Sequence, residues 1–269
     1  MAARGVSPED AADFLTPTLR ALMPDPQTFK DMDAATARLV AAIEKREPIA
    51  VFGDYDVDGG TSSAVMVRFF RALGIDVAVY IPDRAREGYG PNAAALNQLA
   101  AQGAKVVITV DCGITAFEPL KAGRDAGLDV VVVDHHKAEP ELPAAAAVIN
   151  PNRLDDSSKQ GHLAAVGVAF LLVVSLNRAL RESGWYGRAN IKEPDLRDWL
   201  DLVALGTVAD VVPLSGLNRA FVVQGLNVLA RGGNVGLQAL LKAARVDTKP
   251  TAYHLGFMLG PRVNAGGRI

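Results

Sequence analysis

The sequence predicts an α/β chain, with a parallel sheet and flanking helices followed by a mainly helical C-terminal part. Three observations predict it. Short, continuous, β-branched runs at Ile49–Phe52, Val106–Val110 and Val130–Val133 read as strands buried on both faces, as strands of parallel sheets are. Helical patterns alternate with these runs, which calls for right-handed crossovers. Each run also ends in a carboxylate followed by small or polar residues: Gly53-Asp54-Tyr55-Asp56-Val57-Asp58-Gly59-Gly60, Asp111-Cys112-Gly113 and Asp134-His135-His136. Ligands gather beyond the carboxyl ends of parallel strands. That edge would carry several carboxylates and two histidines, the composition of a metal site.

Along the chain, residues 1–47 form a helical N-terminal segment, alanine-rich over Ala34–Ile43, with Asp31 or Asp33 as its cap. After the first strand, Thr61–Leu73 is an amphipathic helix closed by Gly74. Ile75–Ile81 reads as a strand, Asn92–Ala101 as a helix closed by Gly103, and Lys105–Val110 as a strand. Glu118–Ala126 follows as a helix closed by Gly127, then Leu128–Val133 and a short Ala146–Ile149 as strands. From His162 onward the pattern is helical: a buried helix around Leu163–Leu176, then Trp199–Thr207 leading to Val208-Ala209-Asp210, then Arg219–Arg231 and Val235–Ala244. The expected division is an N-terminal segment at 1–47, an α/β core at 48–215, and a helical tail at 216–269 ending in a basic, glycine-rich loop. No internal repeat or low-complexity segment interrupts it.

The 269 residues suit one large or two small domains, and 49% hydrophobic with 22% charged residues marks a globular chain. Cys112 is the only cysteine, which excludes an internal disulfide and fits a reducing, cytoplasmic setting. The N-terminus shows no signal-type apolar core, and the Leu163–Leu176 stretch is too short and interrupted to cross a bilayer. No membrane role is expected. From Val211 to Ile269 there are seven basic residues and one acid, a net of +6, against −8 for the remainder. An acidic body joined to a basic tail suits a polyanionic substrate held on metal ions; chance surface charge is the plainer alternative.

Asp54, Asp56 and Asp58 occupy alternate positions, and on an extended segment alternate side chains share a side. Two negative charges ~4 Å apart repel by roughly 4 kcal/mol at an effective dielectric near 20. Adding Asp111 and Asp210 makes an empty site costly, and one or two divalent cations relieve it. Oxygen-rich ligands with one or two imidazoles suit manganese or magnesium better than zinc. A solvent-facing turn is the bland alternative. A calcium loop is disfavoured because Val65 stands where a bidentate glutamate is required. His135 and His136 are adjacent and point apart on an extended segment, so one can be a ligand while the other meets substrate or an acid. His162 and His254 read as structural or surface residues, and Cys112 as a small core residue. Thr61, Ser62 and Ser63 would open a helix whose amides could hold a phosphate, although such residues cap helices everywhere. Neither a P-loop nor a dinucleotide fingerprint is present.

Gly260–Arg268 reads as a glycine-rich loop whose Arg262 and Arg268 can grip phosphate, with Asn264 assisting; a polar connector is the alternative. Asp83–Gly90 is a second basic loop, where Arg84, Arg86 and Tyr89 either hold a strand by charge and stacking or simply face water.

Gly53–Gly60, Val110–Gly113, Asp134-His135-His136 and Ala209-Asp210 together resemble the DHH phosphoesterase family, and within it the single-strand-specific DNA exonucleases. The strings Glu87-Gly88-Tyr89-Gly90, Ile149-Asn150-Pro151, Val166–Phe170, Val208–Leu214 with Asn218-Arg219, and Pro261–Ala265 extend the likeness over nearly the whole chain. The resemblance implies a parallel-sheet DHH domain with two divalent ions, Mn2+ or Mg2+. Asp56 and Asp58 would bind one each, Asp111 would bridge them, His135 and Asp210 would complete the second site, and Asp54 would add to the first. Many relatives carry a histidine where this chain has Phe52. Asp134 would support, and His136 would contact the scissile phosphate. Metal-dependent 5′→3′ exonuclease action on single-stranded DNA, releasing 5′-mononucleotides in DNA repair and recombination, is the implied function. Relatives continue into DHHA1 and OB domains not found here, and a single-strand-binding protein or helicase would be met through those domains. The rival readings are an enzyme for short oligonucleotides or nucleotide phosphates, and a silent DNA-binding module.

Overall fold

In the computed structural model, which describes residues 6, 7, 9 and 11–266, the α/β class holds. Five parallel strands form one sheet in the order β2-β1-β3-β4-β5: β1 Ile49–Gly53, β2 Ala78–Tyr80, β3 Val106–Val110, β4 Asp129–Val133 and β5 Ala147–Ile149. The helices among the described residues are α1 Ala11–Leu15, α2 Leu19–Leu22, α3 Met32–Lys45, α4 Val57–Ala72, α5 Ala93–Ala101, α6 Phe117–Asp125, α7 Ala165–Glu182, α8 Trp185–Ala189, α9 Leu200–Ala209, α10 Gly216–Ala230, α11 Val235–Ala243 and α12 Gly260–Gly266, with a π-helical turn at His254–Leu259 before the last.

Apart from Thr109 of β3 and the exposed Asp129 that opens β4, strands β1, β3, β4 and β5 are apolar because both sheet faces are covered there. Val51, Val106, Ile108, Val110, Val131 and Val133 join the core formed with α3, α4 and α7. Their neighbours Ala50, Phe52, Val107, Val130 and Val132 join a second core with Leu96, Leu99 and Leu120 of α5 and α6. Each fully buried aliphatic side chain contributes about 1.5–3 kcal/mol, so a one-residue slip in register would exchange the two cores.

That register positions the candidate site. Gly53 pairs with Val110, Val110 with Val133, and Val133 with Ile149. The next residues, Asp54, Asp111, Asp134 and Asn150, therefore stand in a row at the carboxyl edge. Backbone bonds extend the ladder there, from Asp54 N–H to Val110 O (3.3 Å), Asp111 N–H to Val133 O (3.0 Å) and Asp134 N–H to Ile149 O (3.1 Å).

Several boundaries differ from the sequence reading. The second strand is confined to Ala78–Tyr80 rather than Ile75–Ile81: it lies at the sheet edge, pairs with β1 alone, and leaves Val79 half exposed. Helix α4 begins at Val57, four residues before the expected start, so Thr61, Ser62 and Ser63 are buried inside it instead of opening it. Asp31 sits at the start of α3 without capping it. Its carboxylate accepts instead from Val148 N–H (3.1 Å) and Arg153 (2.6 Å). Residues 260–266, expected as a loop, are helical.

Glycines let the helices approach closely. A Cβ on Gly206 of α9 would lie 2.2 Å from Thr61 Oγ1 of α4, and one on Gly225 of α10 would lie 2.1 Å from the Leu200 carbonyl oxygen. Gly225→Ala should therefore cost about 1–3 kcal/mol in urea unfolding. Gly233→Ala, which meets nothing within 4 Å, should stay within about 0.5 kcal/mol. Equal effects would refute this packing account.

Candidate metal centre

The chain leaves β1 at Asp54 and enters α4 three residues later, so Asp54, Asp56 and Asp58 do not share one extended segment. Asp56 is the N-cap of α4, its Oδ1 accepting from Gly59 N–H at 2.9 Å. Asp58 lies in the first turn, and its two oxygens accept from Ala165 N–H (2.6 Å) and Val166 N–H (2.9 Å). Helix α7 has no side-chain cap of its own at Ala164, so Asp58 serves its unpaired first amides, where a helix favours negative charge. Asp58 is thereby fixed against α7 while Asp56 faces the cleft.

His135 follows β4 by two residues. Its Nδ1 donates to the Leu163 carbonyl at 3.0 Å, which leaves the Nε2 lone pair bare. Nε2 stands 3.4 Å from Asp111 Oδ1, 3.7 Å from Asp210 Oδ2 and 3.9 Å from Asp58 Oδ2. Asp210 reaches this group from the C-terminal end of α9. On the other side of Asp111, Asp54 and Asp56 form a further group with it; the donor atoms of Asp54, Asp56 and Asp111 lie within 4.8 Å of one another, as do those of Asp58, His135 and Asp210 and those of Asp111, His135 and His136. Asp111 itself holds a left-handed backbone conformation (φ 62°) at the strand end.

Four buried polar atoms here have no hydrogen-bond partner: Asp54 Oδ1, Asp111 Oδ1, His135 Nε2 and Asp210 Oδ2. Orphaned buried polar atoms are costly unless something binds them. Donors ~2.0–2.2 Å from a small cation stand roughly 3–3.4 Å apart around it, close to the spacing seen. The donor set is carboxylate oxygen with one imidazole, which fits Mn2+ or Mg2+. Asp58, His135 and Asp210 could hold one ion, Asp54 and Asp56 another, with Asp111 between. Phe52 takes no part: it is buried in the second core and stacks on Tyr80 at 5.2 Å.

The carboxyls are strained electrostatically. Burial pushes Asp54 up to about 6, with Asp56 adding repulsion. Burial and then Asp210 raise Asp58; burial and then Asp58 and Asp56 raise Asp111; burial raises Asp210. Asp134 is the exception. Burial alone would raise it, but the hydrogen bond and charge of His136 hold it low, and it also accepts from the amides of Ile114, His135 and His136. The same bond, His136 Nδ1 to Asp134 Oδ1 at 2.7 Å, raises His136. Asp134 therefore braces the histidine turn and is saturated.

A cleft of about 250 Å³ opens on the row, lined by Asp54, Asp56, Asp111, Asp210 and His136 and, at its rim, by Tyr55, Arg84, Tyr89 and Asn264. Tyr89 donates its hydroxyl to the Asp111 carbonyl at 2.9 Å, and Asn264 Oδ1 accepts from Val57 N–H at 3.1 Å. The Arg84 guanidinium lies over the Tyr55 ring, 5.2 Å from its centre. Tyr55 gives no signal in the sequence because it interrupts the aspartate alternation. Arg86 and Arg262 are not brought to the cleft. Arg86 is exposed near Asp83, and Arg262 bonds the Met258 carbonyl along its own helix at 2.6 Å. Arg268 lies outside the described residues. Cys112 is buried, its thiol pushed up by burial, and makes no reactive thiolate. His254 accepts from Thr251 N–H within its own turn (3.0 Å).

Residues 48–207 match the DHH family, N-terminal domain. The chain belongs to the DHH family. Among curated proteins it is 42% identical over 271 residues to the single-stranded-DNA-specific exonuclease RecJ of Escherichia coli, a match covering 100% of this chain and 46% of that protein. Among solved structures it superposes with exonuclease RecJ bound to manganese (TM-score 0.76, 36% identity, 89% of this chain and 58% of that one). RecJ of Thermus thermophilus in complex with Mn2+ gives TM-score 0.76 at 34% identity, covering 96% of this chain and 35% of that one. The chain thus spans about half the length, or less, of the curated relatives it matches. No helix among the described residues is long and apolar enough to cross a membrane.

A carboxyl raised above its unfolded value keeps its proton in the fold where the unfolded chain has released it. Its contribution is favourable at low pH and is lost as pH rises, here between 3.8 and about 6 for Asp54. The metal-free protein should therefore lose thermal stability across that window, and added Mn2+ should raise Tm more at pH 7.5 than at pH 4.5. A Mn2+ effect independent of pH would contradict the site.

Proposed function

We propose that this DHH chain is the catalytic core of a metal-dependent phosphodiester hydrolase, a 5′→3′ exonuclease on single-stranded DNA that releases 5′-mononucleotides in cytoplasmic DNA repair and recombination. The observation that carries the reading is the pair of donor groups meeting at Asp111, with ligand atoms buried and unpartnered on both sides. Similarity to RecJ over the full chain supports the substrate class. Contacts with a single-strand-binding protein or helicase belong to the same reading.

These groups would hold two Mn2+ or Mg2+ ions, which when bound would supply an acidified water nucleophile and neutralise charge on the scissile phosphate. The protein's part follows from its own atoms. Asp111 would serve both ions, Asp54 and Asp56 would hold the first, and Asp58, His135 and Asp210 would hold the second. Asp134 accepts from His136 Nδ1–H and favours the protonated ring, whose Nε2–H would donate to a phosphate oxygen as charge builds there. Arg84, Tyr89 and Asn264 at the rim fix the strand end by charge and hydrogen bonding. Arg86 and Arg262 are left to the strand's approach outside the cleft. The same cleft would also take short oligonucleotides as substrates.

Incubation with 5′- and 3′-labelled single-stranded DNA, in manganese and in EDTA, tests the reading. Manganese-dependent release of mononucleotide from the 5′ end is expected; cleavage of a dinucleotide but no long strand would move the assignment to a small-substrate enzyme, and strand binding without turnover would favour a silent module. Asp111→Ala should lower turnover by on the order of 10³-fold, the loss of several kcal/mol of metal-derived stabilisation. Near-normal hydrolysis by that variant would overturn the assignment.

A further inference from the structure

The two residues that follow β5 by one and three positions carry side-chain amides, and neither has a role in the site as described above. Asn150 is fully buried, and its Nδ2 donates to the His136 carbonyl at 2.9 Å. Asn152 Nδ2 donates twice, to the His135 carbonyl at 2.5 Å and to the Gly161 carbonyl at 3.0 Å. One amide thus uses both its protons to tie the histidine turn after β4 to the loop before α7. Gly161 stands two residues before Leu163, whose carbonyl receives the His135 Nδ1–H. The His135 ring and the His135 main chain are therefore held by the same loop, and Asn152 sets the distance between them.

The loop is shaped for this contact. A Cβ on Gly161 would lie 2.5 Å from Asn152 Oδ1, so a side chain there would displace the amide. We infer that Asn152 is a positioning residue for the second cation group: with Gly161, it fixes the turn so that His135 keeps its Nδ1–H on Leu163 and its Nε2 toward Asp58, Asp111 and Asp210. The inference rests on the two-ion reading of the preceding section. Hydrogen-bonded partners that orient a ligating imidazole are typically worth 10–100-fold in metal affinity.

Mn2+ titration of the chain, followed by electron paramagnetic resonance without DNA, reads the two sites apart from turnover. Asn152→Ala and Gly161→Ala should each weaken one Mn2+ site by about 10–100-fold and leave the other within about threefold. Because both changes break one linkage, the double variant should be no weaker than the worse single one. Long-range imidazole NMR of the metal-free chain should show His135 as a single Nδ1–H tautomer, and a mixture in Asn152→Ala. Wild type binding two ions, with unchanged affinities in both variants, would overturn the role of Asn152. So would equal weakening of both sites accompanied by a fall in Tm, the mark of a residue that only holds the fold. Should Asn152→Ala fail to fold, Gly161→Ala alone decides by the same readings. Fewer than two ions on the wild type would overturn the two-ion reading itself, an outcome visible before any variant is made.

Discussion

Like charges crowded at the carboxyl edge of a buried sheet are the constraint on which the rest of this structure depends. The parallel register leaves Asp54 and Asp111 side by side with Asp134, and two helices bring Asp58 and Asp210 to the same place. Buried carboxylates at such spacing cannot all ionise without compensation. The fold compensates in two ways. Asp134 is matched by His136 and three backbone amides, and Asp58 by the first amides of α7. Asp54, Asp111 and Asp210 keep oxygens with no protein partner, which leaves the remaining compensation to cations.

The same edge explains how the helices are placed. Asp58 can reach α7 only if α4 starts at Val57, and α4 can lie against α9 only because Gly206 carries no side chain. That approach delivers Asp210 to His135. Packing between helices and geometry at the site are thus one arrangement, and the helical part after the sheet supplies a candidate ligand, Asp210, as well as bulk.

Much of this was legible in the sequence, for physical reasons. Strands covered on both faces are apolar at nearly every position, so β1, β3 and β4 stood out, and the polar residues directly after them marked the carboxyl edge. The route of the chain between Asp54 and Asp58 was not legible. Asp-Val-Asp-Gly-Gly has poor intrinsic helix propensity, and its helical start depends on Asp56 as a cap and on a bond to a helix more than a hundred residues away. Gly260-Pro261 misled in the same way: the segment is helical, with Gly260 tight against Ala209, and Arg262 is thereby turned along its own helix instead of into the cleft. Asn152 gave no signal beyond its place beside proline, because its role lies in two carbonyls distant in sequence.

Membership of the DHH family and likeness to RecJ over the whole chain agree with a site built for cations at this edge. Anomalous diffraction at the manganese edge, from crystals of this chain grown with Mn2+, tests that claim most directly. The account predicts two peaks flanking the Asp111 carboxylate, ~3.5–4 Å apart, one beside Asp54 and Asp56 and the other within reach of His135 Nε2. A single peak, or peaks remote from Asp111, would contradict it.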